Sequence, residues 1–243
     1  MTTLPFVAQL LGWKNGQPNV ADRSSTTSCA IAAGMLHALR VTAKVSHAGQ
    51  TAGTMLEEAV HEHLVAALPA SRSGRSVIVS RRTVVSDFEQ YAHLATLKRL
   101  IDADGTGTLK ASIGSDYLVK PDVTVGLADA QGDEFLHAAV PCKWTLRSDR
   151  AQNVRHEAVV LIRHRRGRLP HITPVTAEPM PTRLASLARG TAEVDALYHV
   201  ALAELDAAVR AVGGSKQVEV LDELVAHDRL KDLSELVGVL DLA

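Results

Sequence analysis

The chain has 243 residues, of which 46% are hydrophobic and 22% are charged, and its formal net charge is −1. This composition predicts a globular protein, expected to form one domain although two compact halves also fit, and the charge argues against a general nucleic-acid coat protein. No signal peptide or membrane-spanning segment is evident, and the two cysteines lack the paired spacing of a zinc site. We therefore expect a cytoplasmic protein without a disulfide framework or structural zinc.

The first hundred residues are predicted to be mainly helical. Apolar side chains recur at helical spacing, and a Ser/Thr cluster able to cap a helix precedes the first segment. Helices are predicted over residues 24–39, 54–68 and 88–101. Residues 71–75 are predicted to form a loop, and residues 77–79 a short strand.

After residue 115 the pattern changes to alternating strands and helices. Strands are predicted over 117–127, 138–146, 171–177 and 196–201, and helices over 151–162 and 182–188. Residues 129–133 are expected to join the first two strands as a hairpin. This order predicts an α/β fold, in which a mixed central sheet is flanked by helices. Within one domain we expect a helical part over about 1–104, an α/β core over about 115–205 and a helical tail over about 206–243.

Charge is unevenly distributed along the chain. Residues 142–168 contain eight Lys or Arg and two acids, whereas residues 191–243 contain four Lys or Arg and eleven acids. We therefore expect a basic surface in the centre of the chain and an acidic helical tail. The basic run 163–168 fits either a solvated helix end or a contact with phosphate.

Two charged residues interrupt strand-like segments of the predicted core. Asp122 follows a proline, and Lys143 lies between Cys142 and Trp144. Each has an ordinary explanation when taken alone, since Asp122 fits a strand edge beside a bulge and Lys143 fits a lysine that extends its ammonium to water.

Glu157 changes this interpretation. In the predicted helix 151–162 it shares a face with Val154, Ala158 and Leu161, so its carboxylate should point toward the sheet. A buried carboxylate requires a partner, which Lys143 or a metal ion could supply. A cluster of Asp, Lys and Glu can bind a divalent metal and hydrolyse a phosphodiester, and the three residues together are more specific than any one of them.

This arrangement resembles a known family. Pro121-Asp122, then Cys142-Lys143, then thirteen residues and Glu157, is similar to the permuted active site of the NgoMIV branch of PD-(D/E)XK restriction endonucleases. In that branch the acid has moved from the strand to the neighbouring helix. Pro141 stands where the common form has its acid, so Glu157 takes that role. The resemblance implies a PD-(D/E)XK restriction-endonuclease-like core that uses Mg²⁺.

The resemblance also implies a metal site. Asp122, Glu157 and the main-chain carbonyl of Cys142 would bind the ion. Residues 50–57 resemble a helix start of the family, in which Glu57 completes the site through water. For Glu57 alone, an ordinary acid in the first turn of a helix fits equally well.

Residues 147–150, Arg-Ser-Asp-Arg, are named here the reading segment. Arginine can donate twice to guanine and Asp can accept from cytosine, so Arg147, Asp149 and Arg150 fit adjacent G and C bases. Asp149 could also form a capping box with Gln152. In the resembling family this tetrapeptide reads a CCGG core, and all three charged positions match.

Four further residues resemble the contacts that the family makes outside this core. Arg183 matches an arginine for the flanking G·C pair, Asp22 and Ser24 resemble its partners, and Gln50 resembles a minor-groove contact. Surface residues of these types are also common in loops. The resemblance implies GCCGGC as the preferred site.

The sequence therefore predicts a Mg²⁺-dependent type II restriction endonuclease that cuts double-stranded DNA and leaves 5′ overhangs. A palindromic site needs a two-fold symmetric reader, so we expect a homodimer or homotetramer, with neither RNA nor a membrane as partner. A DNA-binding regulator and a repair-type nuclease are the alternatives. A regulator does not require Asp122, Lys143 and Glu157, and the reading segment argues against a repair nuclease.

Overall fold

The computed structural model describes residues 3–45, 49–190 and 193–241. A single cluster of buried apolar side chains extends from Val7 to Leu240. No helix in these ranges is long and apolar enough to cross a bilayer. The α-helices are α1 (Val7–Leu10), α2 (Thr26–Ala38), α3 (Gly49–Ala67), α4 (Ala92–Ala103), α5 (Thr108–Ile113), α6 (Ser148–His164), α7 (Pro181–Ala188), α8 (Leu202–Val212), α9 (Ser215–Ala226) and α10 (Leu236–Leu240).

Strands form two larger sheets and one small hairpin. They are β1 (Trp13–Lys14), β2 (Gln17–Pro18), β3 (Ser71–Arg72), β4 (Arg75–Arg81), β5 (Val123–Ala128), β6 (Glu134–Val140), β7 (Cys142–Lys143), β8 (His171–Ile172), β9 (Val175–Thr176), β10 (Leu197–His199) and β11 (Leu230–Asp232). One sheet has the order β3-β4-β5-β6-β8 and the other β11-β10-β9-β7. Strands β3 to β6 pair antiparallel, whereas β8 is parallel to β6 and the second sheet is parallel throughout. The five-stranded mixed sheet, together with the flanking helices, confirms the predicted restriction-endonuclease-like α/β fold.

Proline divides two of the predicted strands. The predicted strand 138–146 is interrupted at Pro141, so β6 ends before it and β7 follows it in the other sheet. The predicted strand 171–177 is divided in the same way, because Pro174 separates β8 from β9. A proline has no N–H to donate to a neighbouring strand. Main-chain hydrogen bonds from Thr173 to Ala139 (3.0 Å) and from Val175 to Pro141 (2.8 Å) join the two sheets across this point.

Most other predicted elements are present with altered bounds. The strand expected from residue 117 begins at Val123, and the expected hairpin joins β5 to β6. The helix expected from residue 88 begins only at Ala92, after two 3₁₀ turns. The loop prediction for residues 71–75 was wrong, because β3 and β4 form a tight hairpin with Ser73 and Gly74 at positive φ.

The C-terminal part is helical, as expected, except for β11, which pairs parallel with β10. Helix α8 packs closely on α2, and a Cβ atom added to Gly34 would lie 2.8 Å from that of Ala208. Helix α6 ends within the basic run, where Arg165 donates to the carbonyl of Ile162. This contact supports the helix-end interpretation of the run.

Candidate active site and DNA-reading surface

Asp122 and Lys143 meet at the end of the β5–β6 pairing, where Val123 lies opposite Val140 and the chain continues from β6 into β7. Asp122 immediately precedes β5, and Lys143 is the last residue of β7. The Lys143 ammonium donates to Asp122 Oδ2 at 2.7 Å, and the Cys142 main-chain N–H donates to the same oxygen at 2.7 Å. Two residues that are 21 positions apart are thus held in direct contact by the sheet.

Lys143 remains a cation at this position. Its burial acts to lower the pKa, but the carboxylates of Asp122 and Glu157 outweigh this effect and raise the pKa above its usual value. A lysine with a raised pKa stays protonated at neutral pH. It can therefore balance negative charge or orient a water molecule.

Glu157 lies in the third turn of α6 and faces the core beside Val154, Ala158 and Leu161, as its position in the helix predicts. Burial raises the pKa of Glu157 to about 7, and Lys143 opposes this shift. Its Oε2 atom is buried and accepts no hydrogen bond from the residues that the structure describes. Such an oxygen gains most from a cation placed next to it.

The carboxylates of this site are few, but they fit a divalent cation. Within the described ranges, no three His, Cys, Asp or Glu side chains form a group that could hold a metal ion. Mg²⁺ in enzymes commonly needs only one or two carboxylates, because water and substrate phosphate complete its octahedron. The unpartnered oxygen of Glu157 and the neighbouring Asp122 fit that requirement. In an extended strand the N–H and C=O of one residue point to the same side, so the Cys142 carbonyl should face Asp122 as its N–H does.

Glu57 lies in the third turn of α3 and is only 8% exposed, so an ordinary first-turn acid is the wrong description. Its Oε2 accepts from Arg82 Nη2 at 2.8 Å and Nε at 3.2 Å, and Arg81 lies 3.6 Å away. Glu57 is therefore paired with arginine in this structure. The side chain of Gln50 lies outside the described residues.

Arg82 was not anticipated from the sequence. It follows β4 with φ of 56°, in the left-handed region that non-glycine residues seldom adopt, and its main-chain N–H donates to the carbonyl of Asp122 at 3.2 Å. This conformation directs the guanidinium to Glu57, beside the Asp122–Lys143 pair. The only sequence signal was a pair of arginines at the end of a strand.

The reading segment forms the exposed start of α6. Arg147 is the N-cap residue, and Arg147, Ser148 and Asp149 are all exposed. Arg150 donates to the Thr145 hydroxyl at 3.0 Å. The capping box considered for Asp149 was wrong, because the helix begins at Ser148 and no side chain caps it. The positive end of the helix dipole therefore faces outward together with two arginines.

Arg183, Asp22 and Ser24 are brought together although they are distant in sequence. The Arg183 guanidinium, in the first turn of α7, forms an ion pair with Asp22. The Ser24 hydroxyl and N–H donate to the other oxygen of Asp22 at 2.7 and 3.1 Å. Hydrogen bonds from Arg183 and Ser24 hold the pKa of Asp22 well below its usual range.

Two adjoining surface clefts, of about 590 and 460 Å³, connect these groups. Asp22, Ser24 and Arg147 line both of them. Arg150 lines the first cleft and Arg183 the second. The first is also lined by Lys14 and Arg23 of the N-terminal part, two cations that sequence reasoning did not single out. Clefts lined with arginine and lysine favour the phosphates and guanine edges of nucleic acid.

The fold and this surface together define a class of protein. An aspartate and a lysine at neighbouring strand ends, with a glutamate on the adjoining helix, are typical of DNA-cutting enzymes of the PD-(D/E)XK type. The cationic cleft alongside gives such an enzyme a place for its substrate.

The family is shown by comparison with known proteins. The family model described as NgoMIV restriction enzyme matches residues 12–135 and, in a second segment, 128–243. The type II restriction enzyme NgoMIV of Neisseria gonorrhoeae is 38% identical over 259 aligned residues, which cover 92% of this chain and 88% of that protein. The chain belongs to the NgoMIV restriction-enzyme family, and it is a type II site-specific deoxyribonuclease that acts on DNA.

Proposed function

We propose that the protein cuts double-stranded DNA at a palindromic site with a CCGG core, most favourably GCCGGC, in a Mg²⁺-dependent reaction that leaves 5′ overhangs. The observation that carries this proposal is the Asp122–Lys143 contact beside the buried Glu157 Oε2, which has no hydrogen-bond partner among the residues that the structure describes. The family supports the reaction class, and the reading segment supports the CCGG core.

The catalytic roles follow from charge and position. Asp122 and Glu157 would hold the metal, together with the Cys142 carbonyl and, through water, Glu57. Mg²⁺ when bound offsets charge on the phosphate and makes its water a better nucleophile. The Lys143 ammonium, fixed by Asp122 at 2.7 Å, orients the attacking water and balances the charge of the scissile phosphate.

Base reading is assigned to the start of α6 and to α7. Arg147 and Arg150 donate to guanine O6 and N7, and Asp149 accepts from the cytosine amino group. Arg183, paired with Asp22, which in turn accepts from Ser24, reads the outer G·C pair. Gln50 is assigned to the minor groove on the resemblance alone.

The palindromic site implies that two copies of the chain act together, as a homodimer or homotetramer. We further propose that residues 1–243 form a single endonuclease domain that acts in the cytoplasm, with neither RNA nor a membrane as partner. The continuous apolar core from Val7 to Leu240 supports one domain.

The alternatives explain fewer features. A DNA-binding regulator has no need for a buried carboxylate oxygen without a hydrogen-bond partner next to an Asp–Lys pair. A repair nuclease that recognises DNA structure has no need for arginines on both sides of an exposed aspartate at a helix start.

Plasmid digestion tests the proposal directly. Purified protein with Mg²⁺ should cut a plasmid of known sequence into discrete fragments whose mapped ends all lie in CCGG-containing sites. A second plasmid that differs only in lacking these sites should stay intact, as should the first plasmid in EDTA. An intact first plasmid, or fragments without fixed ends, would contradict the proposed specificity.

A further inference from the structure

Glu178 is a fully buried acid with no assigned role, and it contacts Leu146 and Arg183, which both line the second cleft. It follows β9 by two residues, and its exposed fraction is 0%. Both oxygens of its carboxylate are used. Oε2 accepts from the main-chain N–H of Leu146 at 2.8 Å, and Oε1 accepts from that of Met180 at 3.0 Å. Leu146 immediately precedes the reading segment, and Met180 is the N-cap residue of α7.

Main-chain pairing between β7 and β9 links the candidate catalytic residues to Glu178. Strands β7 and β9 pair in parallel, with Lys143 opposite Thr176, and Ala177 N–H donates to the Trp144 carbonyl at 3.2 Å. Beyond that point the next link between these two segments is the hydrogen bond from the Leu146 N–H to the Glu178 side chain. The Glu178 side chain then supplies the acceptor that a neighbouring strand would otherwise provide, so it fixes the distance between Lys143 and the reading segment.

An electrostatic contact also links Glu178 to Arg183, the residue proposed to read the outer base pair. Arg183 Nη1 lies 3.9 Å from Glu178 Oε1, while the guanidinium also pairs with Asp22. Burial raises the pKa of Glu178 to about 7, and the two N–H donors and Arg183 oppose this shift. The geometry favours the carboxylate form, because each oxygen accepts from an N–H and a protonated oxygen accepts poorly.

We propose that Glu178 is a positioning residue for sequence reading, which holds Arg147 and Arg183 in one register so that the inner and outer base pairs are recognised together. This inference rests on the proposed function. Glu178 does not touch DNA, and it acts through Leu146, Met180 and Arg183. A buried acid that only stabilised the turn would affect the amount of folded enzyme and leave base discrimination unchanged.

The test is Glu178→Gln, which keeps the shape of the side chain but places an NH₂ group against one of the two N–H donors. We expect the ratio of kcat/KM for the preferred site to that for sites with one altered base pair to fall by about tenfold or more, because a buried N–H loses its acceptor. The fall should occur for both inner and outer altered pairs. This ratio is independent of the fraction of active enzyme, so it separates positioning from stability.

Glu134→Gln is the matched control. Glu134 is a half-buried acid on β6 whose pKa is also raised by burial, and it packs over Gly126 rather than beside either cleft. Its substitution should leave the ratio at the wild-type value.

Glu178→Asp provides the same measurement if the glutamine variant does not fold, since the shorter acid keeps its charge but reaches only one donor. It should show an intermediate loss of discrimination. Wild-type discrimination in either folded variant would overturn the inference. If wild-type protein itself fails to cut at CCGG sites, the proposed function fails instead, so the two failures are distinguishable.

Discussion

Lys143 shows how the environment sets the role of a single residue. A lone lysine in an apolar run is usually explained by an ammonium that reaches solvent. Here the ammonium donates to Asp122 inside the sheet, and two carboxylates raise its pKa despite burial. It is therefore a fixed positive charge next to the position expected for the scissile phosphate.

Removal of this charge should abolish cleavage but not binding. For Lys143→Ala we expect cleavage to slow by roughly 10²- to 10⁴-fold, the usual contribution of a positioned catalytic side chain, with DNA affinity close to wild type. Single-turnover cleavage and fluorescence anisotropy with a labelled duplex would measure the two quantities. Lys98→Ala, an exposed lysine paired with Asp102 on α4, is the control and should change neither. Efficient cleavage by the Lys143 variant would remove this residue from the mechanism.

Arg82 places a second positive charge at the same site. Its guanidinium bonds to Glu57 at 2.8 Å, so it occupies an oxygen that a metal-bound water would need.

Arg82→Ala should therefore strengthen metal binding. The Arg82 guanidinium is exposed and competes only weakly for Glu57, so the dissociation constant for Mn²⁺, measured by calorimetry without DNA, should fall by up to about fivefold. Arg75→Ala, at the opposite end of the same strand, should leave it unchanged. Weaker binding in the Arg82 variant would show that the arginine supports the metal site rather than competing for Glu57.

Helix α6 carries the proposed base-reading residues at its first turn and a candidate metal ligand two turns later. The sequence predicts both because charged residues stand out against an apolar pattern, but it gives no signal for features that have no local pattern. Glu178 lies between Pro174 and Pro179, in a sequence that resembles a loop. Strand β11 has only three residues, and its strand form depends on pairing with β10. The conformation of Arg82 likewise depends on contacts with Asp122 and Glu57, which are distant in the chain.

Arg150 tests the reading function of this helix. Arg150→Ala should reduce discrimination at one core base pair by roughly 1–3 kcal/mol, as expected for the loss of one bidentate contact with guanine. Cleavage rates on duplexes altered at each position would locate the affected pair. Arg163→Ala, in the last turn of α6, is the control on the same helix. An unchanged discrimination profile in Arg150→Ala would exclude this residue from base reading.

Two glycines inside helices differ in what surrounds them. Gly34 on α2 faces α8, where an added Cβ would lie 2.8 Å from Ala208, whereas an added Cβ at Gly53 on α3 meets nothing within 4 Å.

Alanine substitutions at these glycines should have opposite effects on stability. Gly34→Ala should lower the free energy of unfolding by about 1–3 kcal/mol through overpacking. Gly53→Ala should raise it by about 0.5–1 kcal/mol, because alanine favours the helix. Urea denaturation would measure both changes. Equal effects would mean that the contact between α2 and α8 is not close in solution.

At the scale of the whole molecule, a buried histidine links stability to pH. His199 on β10 is fully buried, its Nδ1 accepts from the Ala201 N–H at 3.1 Å, and burial lowers its pKa to about 4 against the opposing effect of Asp232. An unfolded histidine titrates near 6.5. The unfolded chain therefore binds a proton first, and stability is lost as pH falls from about 6.5 to 4. The raised pKa values of Glu157 and Glu178 act in the opposite direction, so a variant is needed to isolate the histidine.

His199→Asn retains an acceptor for Ala201 but does not titrate. Its unfolding free energy should depend less on pH between 6.5 and 4.5, by about 1–3 kcal/mol over that interval, whatever its stability at neutral pH. His227→Asn, an exposed residue at the end of α9, should keep the wild-type pH dependence. Identical slopes for wild type and His199→Asn would show that another group controls acid unfolding.

The position of Arg150 and Glu157 on one helix has a kinetic consequence. They are seven residues apart, which is two turns or about 10 Å, and the main-chain hydrogen bonds between them make this part of α6 stiff. Under the roles proposed for Arg150 and Glu157, a wrong base pair that displaces the start of the helix also displaces Glu157 by a similar distance. Because a shift of about 1 Å in catalytic geometry can slow a reaction about a hundredfold, a mismatched duplex that is still bound is cut far more slowly. Fidelity is then greater in the rate of cleavage than in the affinity for DNA.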